Sequence, residues 1–218
     1  MQHRMGQDGA MPPTDQQRER VSATASTGPD VQAFDDAIEE VVSLVSAAAE
    51  RLVSTKLIAV DGPAGSGKTT LASRLHGYLE LSGHLVVTLH LDDMYEGWSG
   101  LEEGLEPRLL DQVLLPLSNG QAACWQRYDW EIGAFAEWTK LPPPNTLILE
   151  GCGSGALAYA PYTSLLLWVE AEQEQRISRG IKRDGPAVLS HWLTWMDREA
   201  AHFAANHTRE RADLHLTT

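Results

Sequence analysis

The residues from Leu57 to Leu71, Leu-Ile-Ala-Val-Asp-Gly-Pro-Ala-Gly-Ser-Gly-Lys-Thr-Thr-Leu, restrict what this chain can fold into more than any other stretch. Gly62 and Gly67 are separated by four residues and followed directly by Lys68 and Thr69, the pattern of a phosphate-binding loop, or P-loop. Glycines let the backbone turn tightly, so that successive N–H groups point inward at phosphate oxygens. The helix that follows adds the positive end of its dipole. Gly62, Pro63, Ala64, Gly65, Ser66, Gly67, Lys68, Thr69 and Thr70 are therefore the candidate nucleotide-binding residues. Lys68 would reach the β/γ-phosphates and Thr69 would hold a bridging Mg²⁺. The flanks agree with this reading. Lys56–Val60 is a short aliphatic run, and Leu71, Ala72, Leu75, Tyr78 and Leu79 share one helical face. Strand, loop and helix occur in the required order.

Composition narrows the class further. A chain of 218 residues, 43% apolar, is most simply one α/β domain with an appendage. Its net charge of −13 argues against nonspecific binding to nucleic acid or to anionic membranes. A nucleotide must instead be drawn in by local donors and Mg²⁺. Cys124 and Cys152 are the only cysteines and form no metal-type pair, which fits a reduced, cytoplasmic setting. No apolar run approaches the ~20 residues of a membrane span, and the first residues lack the apolar segment of a signal peptide.

In chain order, residues 1–28 are polar and aperiodic and read as a disordered leader. Residues 29–54 read as a helix capped by Asp30, with Phe34, Ile38, Val41, Val45, Ala48 and Leu52 as an apolar stripe. That stripe must pack on its own domain, the expected arrangement, or on a second subunit, giving a homodimer. Residues 55–218 read as the nucleotide-binding domain. Gly83 stops the P-loop helix, and Leu85–Leu91 is a strand apolar enough to be covered on both faces. From Leu101 to Gly120 the pattern is helical but interrupted by Pro107 and Pro116, and Gln121–Trp138 is aromatic-rich without a clear period. Thr146–Glu150 and Ser164–Val169 are further strands, and residues 212–216 suit an edge strand. Glu172–Arg183 is a charged helix, and Pro186 opens another through Asn206, with Val188, Leu189, Trp192, Trp195, Met196 and Phe203 as its apolar face. Strands alternating with helices indicate a parallel, doubly wound sheet.

Ligands bind at the carboxyl ends of strands in such a sheet. Besides the P-loop, two other strand ends carry acids: Asp92-Asp93 and Glu150. Phosphoryl transfer to an alcohol needs one carboxylate for the hydroxyl proton and others to orient Mg²⁺. Asp92 and Asp93 point to opposite sides if strand geometry persists, so only one can face the reacting centre. Glu150 closes a buried strand, where a cation nearby explains the carboxylate better than solvent does. Thr69, Asp93 and Glu150 are the candidate metal ligands. Arg176, Arg179 and Arg183 fall on one helix face and, with Lys182, form the only concentrated basic patch, a lid over residues 176–185. Tyr95, Trp98, Tyr128 and Trp130 could stack a ring of the acceptor, or simply pack. His90, His191, His202 and His207 lack metal-type spacing and are read as structural.

Taken together, Gly-Pro-Ala-Gly-Ser-Gly-Lys-Thr-Thr-Leu, Leu-Asp-Asp-Met-Tyr after the second strand, Tyr-Asp-Trp at 128–130, Leu-Glu-Gly at 149–151 and Arg-x-x-Arg-x-x-x-Arg-Asp at 176–184 resemble the uridine kinase, phosphoribulokinase and pantothenate kinase-like group of P-loop kinases. The resemblance spans about Lys56 to Leu216. It implies a P-loop NTPase three-layer sandwich with a five-stranded parallel sheet, and an ATP- and Mg²⁺-dependent kinase acting on a small hydroxylated metabolite, nucleoside-like by default. It also implies Asp92 as general base, Glu150 near Mg²⁺, the three arginines and Lys68 in transition-state stabilisation, and Tyr95 and Tyr128 at the substrate. Two positions depart from the nucleoside kinases. Arg108 follows Pro107 where that group has an acid, and no histidine follows Tyr128-Asp129. Arg108 would suit an acceptor that already bears a phosphate or carboxylate. The rival readings are therefore a nucleoside monophosphate or other phosphorylated-acceptor kinase, and a non-catalytic ATP-binding regulatory protein. A GTPase is disfavoured, because no Asn-Lys-x-Asp segment occurs.

Overall fold

The computed structural model describes residues 29–218, with side chains from Ala37 onward. The expected leader over 1–28, and the side chains of Asp30 and Phe34, lie outside the described residues. In chain order the elements are α1 (Pro29–Ala47), β1 (Lys56–Asp61), α2 (Lys68–Leu81) and β2 (Val86–His90). Next come α3 (Leu105–Leu109), a π-helical turn (Leu110–Leu114), α4 (Leu115–Ser118), β3 (Ala123–Asp129) and β4 (Ala134–Leu141). The chain closes with β5 (Thr146–Glu150), β6 (Leu165–Glu170), α5 (Gln173–Asp184), α6 (Leu189–Asn206), α7 (Thr208–Arg211) and β7 (Leu214–Thr217).

The main sheet has five strands in the order β2-β5-β1-β6-β7, all parallel. Period two along these strands sorts their side chains onto two covered faces. Ile58, Val60 and Ile148 pack with Leu71, Leu75 and Leu79 of α2 and with Val41 and Val45 of α1. Leu57, Leu147 and Leu149 face Tyr95, Tyr159, Trp195 and Phe203 on the other side. The result is the expected three-layer sandwich. In register, Glu150 lies beside Val60 on one flank and His90 on the other. The acid of β5, the P-loop and the Asp92 turn thus leave the sheet at one edge.

The helix α1 packs on its own domain. Val41 and Val45 are buried there, each such side chain contributing ~1.5–3 kcal/mol. It ends at Ala47, not near residue 54. Leu52 belongs to a separate tight pairing with Thr55. Tyr78 and Leu189, expected on apolar faces, are instead partly open to solvent at 43% and 37%. The prolines do not break the 105–118 helix. Pro116 lacks an N–H and crowds the preceding turn, and the wider π turn just before it absorbs that misfit. Residues 121–138, aperiodic in sequence, prove to be most of the antiparallel β3–β4 hairpin, separate from the main sheet. A register shift between Gln126 and Tyr128 interrupts the alternation that would have revealed it.

Candidate active site

The P-loop conformation depends on two glycines whose neighbours leave no room for a side chain. Gly62 has φ 141° and a Cβ there would strike the Val169 carbonyl. Gly65 has φ 78°, and its Cβ would lie 2.7 Å from the Arg176 carbonyl oxygen. Gly67, in the left-handed region, starts α2 and so aims the first-turn amides of Lys68, Thr69 and Thr70 at the loop's mouth. Beneath the loop, the fully buried Asp61 accepts N–H bonds from Gly62 (2.7 Å), Gly153 (2.9 Å) and Gly155 (2.8 Å). It fastens the P-loop to the loop after β5. Burial pushes its carboxyl up to about 6, against the pull of those amides and of Lys68.

Lys68 is buried and donates to the Pro63 carbonyl at 2.9 Å, with the Cys152 sulfur at 3.6 Å. Burial would pull its ammonium down, but Cys152, Glu150, Glu199 and Asp61 more than offset that. Burial also drives the Cys152 thiol well above its usual range, so near neutral pH the three carboxylates supply the compensation. Ser66 Oγ is buried without a hydrogen-bond partner among the described residues.

At the mouth, Thr69 Oγ1 donates to Glu150 Oε1 at 3.1 Å, and Glu150 Oε2 meets His90 Nδ1 at 2.7 Å. Burial opposes ionisation of Glu150, yet His90 and Lys68 hold its carboxyl below the usual range, while Asp92 pushes the other way. Asp92 and Asp93 lie in a 3-10 turn, Leu91–Asp93, not in extended strand. Their side chains therefore diverge by ~120° instead of pointing opposite ways. The charge of Asp92 acts on Glu150, Cys152 and Tyr95, all on the P-loop side. Among the described residues no three histidine, cysteine or acidic groups cluster closely enough to cage a metal ion unaided. A hydroxyl and a carboxylate side by side are hard oxygen donors that suit Mg²⁺, which takes its remaining ligands from phosphates and water.

Two of the three α5 arginines reach the P-loop. Arg176 Nη1 donates to the Ala64 carbonyl (3.3 Å) and to Glu199 Oε1 (3.1 Å). Arg179 Nη1 donates to the Gly65 carbonyl (3.2 Å) and to Thr218 Oγ1 (2.9 Å), which itself donates to the Ser66 carbonyl (3.1 Å). Arg183 turns away. It pairs with Asp184 (2.7 Å) and stacks over Trp192.

The acceptor candidates gather against the Asp92 turn. Tyr95 is buried, donates to the Cys152 carbonyl at 2.6 Å and meets Trp195 edge-on. It braces the site from within the core. Trp130 Nε1 donates to the Asp92 carbonyl (2.9 Å). Its ring lies edge-on to Trp98 and Tyr128, and Trp98 stacks on His191. Arg108 donates to the Met94 carbonyl (2.7 Å) and to Glu96 (3.1 Å), and lies over the Phe135 ring.

No family model matches the chain, and no curated protein sequence does either. Solved structures do. One, described as a possible uridine kinase from Bacillus stearothermophilus, superposes with a TM-score of 0.59 at 18% identity, covering 85% of this chain and 97% of its own. A second, described as a candidate fructose transport system kinase from Silicibacter sp. TM1040, gives 0.62 at 16% identity over 84% and 98%. The fold is that of the P-loop kinases. On this P-loop kinase fold, four site residues escaped sequence reasoning: Asp61, His90, Cys152 and Glu199. Asp61 ends the first strand and His90 the second, positions that face the ligand edge, so both carried a signal. Glu199 sits in α6, 135 residues from its P-loop partner Ala64, and no local pattern marks it.

Proposed function

We propose that this protein is an ATP- and Mg²⁺-dependent phosphotransferase that moves the γ-phosphoryl group to a hydroxyl of a small, nucleoside-like metabolite. The observation that carries this reading is the meeting of the Thr69–Glu150 pair and Asp92 at the mouth of one P-loop. Lys68 and the loop amides hold the triphosphate, and Thr69 and Glu150, with Asp93 of the neighbouring turn, would supply the protein's oxygen ligands to Mg²⁺. Bound there, Mg²⁺ would neutralise charge on the β/γ oxygens. Asp92 takes the proton of the acceptor hydroxyl as its oxygen bonds to the γ-phosphorus. The bridging β–γ bond breaks and ADP leaves with its electron pair. Arg176 and Arg179 stand at the loop to balance charge on the transferring group, and Arg183 would need to leave Asp184 to join them.

Uridine-like acceptors come from the resemblance and from the description of one structural neighbour. A phosphorylated acceptor is less well supported, because Arg108 already serves Met94, Glu96 and Phe135. The test is ATP consumption over a panel of nucleosides, nucleotides, sugars and pantothenate-like alcohols, run beside Asp92→Asn. At least one acceptor should drive turnover, and Asp92→Asn should abolish it while ATP still binds. Tight ATP binding with no acceptor consumed would favour the non-catalytic regulatory reading instead.

A further inference from the structure

Glu199 belongs to none of the motifs above, yet it is the buried carboxylate that touches the most parts of the site. It projects from α6 and is only 2% exposed. Oε2 accepts the Ala64 N–H at 2.8 Å and the Cys152 thiol at 3.4 Å. Oε1 accepts Arg176 Nη1 at 3.1 Å. The same guanidinium donates to the Ala64 carbonyl, so Glu199 and Arg176 clamp the two ends of one P-loop residue. Gly65 closes the arrangement, since its missing side chain lets the α5 backbone lie directly on the loop. Arg176 Nε, also buried, has no hydrogen-bond partner among the described residues. The guanidinium is therefore held in place but not saturated.

A buried ion pair holds firmly only while neither partner finds a better one. Incoming phosphates bring negative charge to the loop whose backbone Arg176 already touches. They then compete with Glu199 for the same cation. We infer that Glu199 is a latch: in the empty site it holds the lid helix α5 on the P-loop through Arg176, and on nucleotide binding it yields that arginine to the phosphates. Glu199 is thus a positioning residue. It keeps the lid ordered before binding and, by competing, weakens the grip on ADP so that product can leave. This rests on the nucleotide-binding part of the proposed function but needs no acceptor.

The test uses Glu199→Gln, which keeps the shape and an acceptor for the Ala64 N–H but removes the charge. Two quantities are measured on the full chain: ADP affinity by calorimetry, and hydrogen exchange of the α5 amides with and without ADP. The latch requires both that ADP bind about fivefold or more tightly and that α5 lose protection in the empty protein, regaining it with ADP. Weaker ADP binding with lost protection would make Glu199 a structural support and overturn the latch. Tighter binding with α5 unchanged would reduce it to a through-space charge and overturn it equally. Arg176→Gln attacks the same bond from the lid side. It should also loosen α5 in the empty protein but weaken ADP binding, and an unchanged α5 in that variant overturns the latch even if Glu199→Gln fails to fold. A wild-type protein that binds no ADP would sink both the latch and the phosphotransferase reading. Wild-type ADP binding that leaves the latch criteria unmet would sink the latch alone.

Discussion

The two ends of the site are built in different ways. The phosphate end is backbone held by buried charge: Asp61 on three amides, Glu199 on a fourth, and Lys68 balanced by carboxylates. The proposed acceptor end is a cluster of rings meeting edge-on, tied to the main chain of the Asp92 turn by Trp130 and of the following loop by Arg108. Phosphate chemistry is the same in every substrate pair, so its receptor is a fixed geometry with little tolerance. An acceptor varies, and rings on loops can be rearranged without dismantling the sheet. Damage at the first end should therefore be severe and general, and damage at the second mild and selective.

The largest effect should follow Lys68→Ala. It removes the ammonium whose charge acts on Asp61, Glu150 and Cys152, and so takes a cation away from a cluster of buried carboxylates. Turnover measured as kcat/KM should fall by ~10³-fold or more, about 4 kcal/mol, whichever acceptor is used. A loss confined to one acceptor would break the comparison.

Asp61→Asn should come next, and it acts on stability. An amide NH₂ facing the Gly155 N–H sets donor against donor, a buried mismatch costing ~1–3 kcal/mol. The dependence on pH has a definite sign. In the folded chain burial pushes this carboxyl up to about 6, from an ordinary value of 3.8. Between these the folded chain holds a proton that the unfolded chain has released, so this group's contribution to stability declines as pH rises from ~4 to ~6 and is flat above. The deficit of Asp61→Asn in urea unfolding should then be larger at pH 4.5 than at pH 7. An equal deficit at both would remove the titration assigned to Asp61.

The contrast also explains which features the sequence discloses. The P-loop is local: Gly62, Gly65, Gly67 and Lys68 must be close in sequence to work, so they form a motif. The central parallel strands are apolar runs with little to disguise them, β7 is a short half-polar edge, and all five lie near where their patterns place them. Asp92 and Glu150 follow from the rule about strand ends. What spacing could not show is how groups distant in sequence divide their partners. Arg176 and Arg183 look equivalent on a helical wheel, yet Glu199 draws one to the P-loop while Asp184 and Trp192 keep the other. Tyr95 reads as a ring at the substrate, and only the Cys152 carbonyl and Trp195 identify it as core. The hairpin is obscured by its own bulge and by residues such as Trp138 and Ile132, which remain exposed at 58% and 69%.

The smallest and most selective effect is expected at Trp130. Its indole N–H donates to the Asp92 carbonyl and so bonds the ring cluster directly to the turn that carries the proposed base. Trp130→Phe keeps most of the ring contacts with Trp98 and Tyr128 but removes that donor. A single neutral hydrogen bond is worth ~0.5–1.5 kcal/mol. The acceptor KM should therefore rise about two- to tenfold while the ATP affinity is unchanged. An equal effect on both substrates would mean that the turn transmits strain to the P-loop. The acceptor end would then be mechanically part of the phosphate end, and the separation between them would fail.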